Sequence, residues 1–386
     1  MNVKDRFLCA LRGGTPDRLP VTTHHIMPYF LKKYCNNMTY QEFFLDTGID
    51  PIEWIIDFSP DLSKGEYFDP GHREIGFLDA RRISNDNWRF DEEILKTDGN
   101  AITKRFKIIT PEKTLSMVLK VDVQSTWVLE HLIKDKKDIE IIWKYMVRPK
   151  CNVESINKKA REIKDSALLR GHIICFDGFG QPGCWQDASC LYGIQDLIMA
   201  TFEDPAWVHD LLKILQSRKL TYIESLAGAE YDLLELGGGD ASTTVISPDI
   251  FEEFVAPYDA KLIDCAHKSG QRISYHTCGG MMPILEQIAS MGPDAMETFT
   301  PPSMGGDVNL LEAKKRIGNK VCMIGGFDQF NYFNGCPPEL TRKEVRRCFE
   351  EAGQDGGYIL SPSDHFFDAN LGLIKAFSDE AKHCKY

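Results

Sequence analysis

No run of about 18 apolar residues occurs anywhere in the chain, so no membrane-crossing helix is expected. The first twenty residues, MNVKDRFLCALRGGTPDRLP, lack the apolar core of a secretory signal, so an intracellular setting is expected. No basic stripe appears, and the net charge is −12. Neither nucleic acid nor an anionic membrane is therefore an expected partner. Low-complexity linkers and internal repeats are also missing. Hydrophobic residues at 43% and charged residues at 26% suffice for a packed core and exclude wholesale disorder. Cysteine is the exception to this scarcity. Twelve are present, scattered and without a secretion signal, which fits free thiols in a reducing cytoplasm better than a disulfide framework.

The length of 386 residues suits one large domain. After residue 170, short β-rich runs alternate with helical patterns. The runs are HIICF (172–176), YDLLELG (231–237), RISYHTC (272–278), DAMETF (294–299), VCMIGG (321–326) and GYILSPS (357–363). Helices are expected from about 204 to 226, from Ser247-Pro248 to Ser269-Gly270, and over MMPILEQIASMG, NLLEAKKRIG, PELTRKEVRRCFEEAG and NLGLIKAFSDEAKH. Such alternation implies parallel βα units. Six units follow residue 170, RLPVTTH (18–24) offers a first strand, and there is room for one more. The expected fold is a (β/α)8 TIM barrel spanning 1–386 as one domain, with a doubly wound sheet as the alternative. Residues 60–130 interrupt the pattern. DNWRF, AITKRFKIIT and LSMVLKVDV, with the turn Asp98-Gly99-Asn100, read as an antiparallel β insertion or lid.

The run ISYHTCGG places His276 and Cys278 two residues apart, and thus on one face of a strand. Gly279 and Gly280 then allow a sharp turn. In a parallel barrel the C-terminal strand ends form the active-site face. Imidazole nitrogen and thiolate sulfur suit zinc, with a third ligand needed from another strand end. Polar residues at the other strand ends are Asp177, Glu235, Asp240, Glu297, Asp328, Ser363, Asp364 and His365. Glu235, Asp240 and Asp328 are the candidates for acid–base work. The loop FDGFGQPGCWQD (176–187) and the aromatic residues near the strand ends suggest a substrate site containing Asp177, Phe179, Trp185 and Tyr275.

YHTCGG, DAMETFTPP, KKRIGNKVCMIGGFD and GGYILSPSDH…LIKAF resemble the uroporphyrinogen decarboxylase superfamily, and within it the cobamide-dependent methyltransferases. The likeness covers roughly residues 170–380, and more loosely RLPV and STWVLEHLIKDKKDIE. It implies a TIM barrel and, in the methyltransferase branch, a zinc held by His-x-Cys and a later cysteine. His276 and Cys278 match the first two ligands. The later cysteine falls on Ser363, so His365 is the expected third ligand, with Ser363, Asp364 and Glu297 as alternatives. The decarboxylase grips its polycarboxylate substrate with an arginine-rich stretch after RLPV. Here that stretch is TTHHIMPYF, without arginine, and His24 and His25 are candidates to face the mouth instead. The resemblance thus implies a zinc-dependent transfer of a methyl group between a small substrate, a methoxylated aromatic among the candidates, and a corrinoid (cobalamin) carried on a partner protein. The demethylating direction is favoured. A metal-independent decarboxylase and a non-catalytic corrinoid- or metal-binding relative remain as alternatives.

Overall fold

Seven short parallel strands follow one another around a curled sheet. A computed structural model describes residues 1–72 and 80–386. The chain-order elements used below are β1 (Ile52–Trp54), β2 (Arg89–Asp98), β3 (Ala101–Ile109), β4 (Thr114–Val121), β5 (Thr126–Glu130), β6 (Leu168–His172), β7 (Leu233–Gly237), β8 (Ile273–His276), β9 (Ala295–Thr298), β10 (Cys322–Phe327) and β11 (Tyr358–Pro362). The parallel sheet runs β1-β6-β7-β8-β9-β10-β11. Residues of β7 to β11 are buried along their whole length, as expected of parallel strands covered on both faces. Val21 bridges Leu360 of β11, and its carbonyl accepts from Asp50 N at 2.9 Å. Hydrogen bonding therefore passes from the last strand through residue 21 towards β1. This is an α/β fold whose curled sheet is consistent with a TIM-like barrel.

The helices begin where the capping chemistry says they should. Asp204 accepts from Trp207 N, and Pro205 opens the helix that runs to Glu224. Ser247 Oγ accepts from Ile250 N at 3.2 Å, with Pro248 in the first turn. The strand nearest residue 172 differs from expectation. It is LLRGH at 168–172, and HIICF continues past it into the loop. The apolar run was the stronger pattern, but the true strand carries Arg170, buried with partners of its own.

The antiparallel strands β2-β3-β4-β5 form a separate four-stranded sheet. Residues 73–79 of the 60–130 stretch lie outside the described residues. Lys104, Phe106 and Ile108 alternate to one face of β3, and Leu115, Met117 and Leu119 of β4 join them. This face docks on the loop after β6. A Cβ at Gly178 would lie 2.8 Å from the Phe106 ring and 2.9 Å from Met117 Sδ, so only glycine lets the sheet approach there. Trp88 is fully buried beside it, which removes roughly 2–3 kcal/mol worth of apolar surface from water. Among the described residues, no helix is long and apolar enough to cross a membrane.

Candidate functional site

Strand register aligns the polar residues at one end of the sheet. Gly237 of β7 pairs with His276 of β8, which pairs with Glu297 of β9. Gly237 has φ +110°, and a Cβ there would lie 2.2 Å from the His276 carbonyl oxygen, so glycine permits the two strands to meet. Glu235 of β7, His276 and Glu297 then converge with His24, which follows the Val21 bridge. Ligand-type atoms of these four buried residues all lie within 4.8 Å of one another. A second group of the same compactness joins His24 to Asp364 and His365, after β11. His24 belongs to both. Its ring stacks on His25 at 4.0 Å and on His276 at 4.6 Å between centroids.

Arg170 of β6 closes the cluster from beneath. Its guanidinium donates to Glu297 Oε1 at 2.8 Å, to Glu297 Oε2 at 3.3 Å and to Glu235 Oε2 at 3.4 Å. His24 Nε2 and Glu235 Oε2 are 2.8 Å apart, and His365 Nδ1 and Asp364 Oδ1 are 2.9 Å apart. These pairs set the charges. Burial alone would raise the Glu297 carboxyl, but Arg170, His276 and His24 hold it well below the usual range. Burial also acts to raise Glu235, and His24 and His276 bring it down. Burial lowers the His276 imidazole, yet Glu235, Cys278 and Glu297 hold it well above its usual value. His365 is likewise depressed by burial and raised overall by Asp364. His25, by contrast, is pushed well down by burial and by its neighbours His24 and His365.

A family model for uroporphyrinogen decarboxylase (URO-D) matches residues 101–383. The chain belongs to the uroporphyrinogen decarboxylase family. Among curated relatives, a uroporphyrinogen decarboxylase of Aliivibrio salmonicida is 30% identical over 180 residues, 45% of either chain. One from Vibrio cholerae is 24% identical over 280 residues, covering 69% of this chain and 71% of its own. The match to the first of these therefore spans less than half its length. Among solved structures, a methyltransferase from Methanosarcina mazei superposes with TM-score 0.62 at 14% identity, covering 99% of both chains. At that identity the likeness establishes the fold.

Within this family member, the residues singled out from sequence separate into two sets. His24, Glu235, His276 and Glu297 come together, and Asp364 and His365 adjoin them. Cys278, just past β8, belongs to neither compact group; its sulfur lies over Gly239, 2.8 Å from where a Cβ would stand. Ser363 is fully buried and its hydroxyl donates to Phe327 O at 3.1 Å. The other set is engaged in holding loops. Asp177 accepts from Arg218 at 2.5 Å and from Trp88 Nε1 at 3.1 Å. Asp240 accepts from Gln186 Nε2 at 2.8 Å and from Ser189 Oγ at 2.5 Å, while Trp185 Nε1 donates to Asp240 O. Tyr275 is fully buried and donates to Asp259 Oδ2 at 3.0 Å. Asp328 accepts from Ser303 Oγ at 2.6 Å and caps a short helix through Asn331 N. Phe179 lines a cavity of about 240 Å3 beside Cys175, His172 and Arg82. Arg170 and Trp54 were not anticipated. The one available signal was a lone arginine inside an apolar run, LLRGH, which charge-in-strand reasoning treats as a break rather than a core residue.

A divalent ion such as zinc suits the four-residue group. Two imidazoles and two carboxylates are zinc donors. His24 Nδ1 and His276 Nδ1 are buried without a hydrogen-bond partner, a costly state for a nitrogen with a lone pair or proton to place. Ligand histidines must be neutral.

Proposed function

We propose that this chain is a zinc-dependent methyltransferase that moves a methyl group between a small methylated substrate and a corrinoid carried on a partner protein. The observation that carries this reading is the convergence of His24, Glu235, His276 and Glu297, with two imidazole nitrogens left unpartnered in a buried site. The fold likeness to a methyltransferase over the whole chain supports it. In this reading the barrel is completed by the segment around Val21, and the antiparallel strands are an insertion beside its mouth. All twelve cysteines are free thiols, in keeping with a reducing cytoplasm.

The residues that would hold zinc are His24, His276, Glu235 and Glu297, with Cys278 close to His276 as a further donor. When bound, zinc supplies a Lewis acid that polarises an oxygen or lowers the pKa of a thiol. The rest of the work belongs to the side chains. Arg170 keeps Glu297 ionised and, through its guanidinium donors, orients both Glu297 and Glu235. His25 and Trp54 pack on His24 and fix its ring. His365, with Nδ1 committed to Asp364, retains Nε2 as the atom from which a proton passes to a departing alkoxide. Positioning supplies much of the remaining acceleration.

Decarboxylation is the second reading, favoured by the name of the curated relatives. It would need cations for a polycarboxylate, and TTHHIMPYF has no arginine, while Arg170 is already bound to two glutamates. The test combines elemental analysis with a corrinoid spectral assay over a panel of methyl donors. One zinc per chain is expected, with methylcobalamin formed from cob(I)alamin. Both are lost in His276→Ala, and Cys278→Ala shows whether the thiol takes part. Carbon dioxide release from uroporphyrinogen by metal-free protein would establish the other reading. A folded protein inert in both assays would leave a non-catalytic relative.

A further inference from the structure

The antiparallel sheet β2-β3-β4-β5 has one amphipathic face, and only half of it is covered. Ile108, Phe106 and Lys104 of β3 are at most 8% exposed, yet Ile102, next on the same face, is 40% exposed. Ile94 of β2 stands opposite Lys104 and is 67% exposed. Val121 of β4 stands opposite Ile102 and is half-buried. The covered half lies towards the β3–β4 turn. The uncovered half lies towards the two tips, residues 98–101 and 122–125.

The two ends are held differently. At the turn, Glu112 accepts from Tyr145 Oη at 2.7 Å and pairs with Lys144, Lys113 pairs with Asp138, and Lys134 Nζ donates to Ser116 O at 3.2 Å. At the tips, the polar contacts among the described residues stay inside the sheet. Asp98 pairs with Lys96, and Asp122 accepts from Gln124 N, Ser125 N and Trp127 Nε1. Facing the tips is the helix Pro28–Tyr34. Together they wall a cleft of about 750 Å3, with Met27, Tyr29 and Lys32 on one side and Asn100, Val121 and Asp122 on the other. We infer that the sheet is a lid, hinged at its β3–β4 end, whose tips close onto the helix Pro28–Tyr34.

The surfaces across the cleft match. Closure takes Ile94, Ile102 and Val121 out of water and brings Val121 towards Met27 and Tyr29. Lys32 makes no ion pair among the described residues, and it faces the tip that carries Asp122, with Asp98 at the other tip. An exposed ion pair contributes little. The charges therefore set where the tips land, and the apolar patch supplies the pull. The helix follows Ile26, which bridges Phe366 beside His365. A closed lid thus roofs the sheet end that holds the polar cluster and keeps bulk water from it. The closure does not rest on the methyl-transfer reading.

A carbodiimide, which joins an amine to a carboxylate only where the two touch, tests this on the full chain, with the monomer band mapped by mass spectrometry. The Glu112–Lys144 link should form, and it calibrates the reaction. Lys32 should also link to Asp122 or Asp98, although neither pair is made in this structure. Ile94→Ser combined with Ile102→Ser alters only exposed positions, so its circular dichroism melt should match wild type. It should lower the tip link about tenfold through the lost apolar area, and leave Glu112–Lys144 unchanged. Glu112–Lys144 without a tip link, a tip link found only between copies, or a tip link undiminished in the variant overturns the inference. A tip link in a protein without zinc or methyl transfer would sink the proposed function and leave the lid standing. Zinc and methyl transfer without a tip link would do the reverse.

Discussion

Two buried networks of charged residues flank β6 and β7, and they are satisfied to different degrees. Residues 176–187 were expected as one loop, but a helix, Cys184–Tyr192, takes its last four residues; behind this loop and helix start, every strong donor has somewhere to go. Lys219 Nζ donates to Asp187 Oδ2 at 2.6 Å, Ile174 O at 2.7 Å and Gln181 O at 3.3 Å. Arg218 serves Val147 O, Cys175 O and Asp177. At the strand ends, atoms are left over. His24 Nδ1, His276 Nδ1, Ser274 Oγ and Arg170 Nε make no hydrogen bond, the two imidazole nitrogens standing 3.9 and 3.8 Å from the Asp364 and Glu297 carboxylates. A closed network fixes a loop. An open one, kept buried despite its cost, is arranged around something that arrives later. Both hold buried charge, and it is saturation that separates their roles.

That contrast can be broken by experiment. The largest effect on stability is expected from Lys219→Met. It strands Asp187 in a nearly fully buried site, and the loss should be about 3–5 kcal/mol, read from the denaturant midpoint. A loss below about 1 kcal/mol would show that the closed network is not what holds the loop. Next is Asp259, buried behind β8, where it accepts from Tyr275 and Cys184 N. Burial raises its carboxyl to about 6. A carboxyl raised on folding favours the folded state below its unfolded pKa near 4 and loses that contribution as pH climbs through about 6. Asp259→Asn should remove this slope. Wild type minus variant should therefore change by about 3 kcal/mol between pH 3 and pH 7, and a flat difference would refute the assignment. At the open network the deciding readout is the metal. His276→Gln removes a buried imidazole that Glu235 and Glu297 hold in its charged form, so it should cost about 1–2 kcal/mol, less than Lys219→Met because Arg170 still faces both glutamates, yet bound zinc should fall from one per chain to none. A large loss of stability with zinc retained would invert the comparison.

Much of the architecture could be read from residues alone, because β7 to β11 and their helices obey simple rules. His276 and Glu297 were found by strand alternation and by position at strand ends. Ser247-Pro248 and Ser269-Gly270 mark both limits of one helical stretch, although a π-turn at Phe251–Val255 interrupts it. Other parts were illegible for definite reasons. β1 is three residues, IEW, too short for any periodicity to show, so Trp54 went unseen. β5 (TWVLE) leaves Trp127 and Leu129 exposed and offers no buried face to betray it. Arg170 lies in a strand that the more apolar HIICF displaced. The acids at strand ends look alike in sequence. Only three-dimensional partners show that Asp177, Asp240 and Asp328 brace loops while Glu235 and Glu297 face imidazoles. The pairing of His276 with Cys278 was read from alternation; β8 stops at His276, so Cys278 stands just past the strand, yet its thiol still acts on the His276 imidazole.

His24 and Trp54 come from the first sixth of the chain, ahead of the region the family model spans. A minimal version trimmed to residues 101–383 would keep β6 to β11 and their connecting helices. It would nevertheless forfeit one imidazole, the indole and the stretch at Val21 that joins β11 to its neighbours. Anyone transplanting this centre into another scaffold must carry the leading segment along, because the buried imidazole and the ring closure share the same few residues.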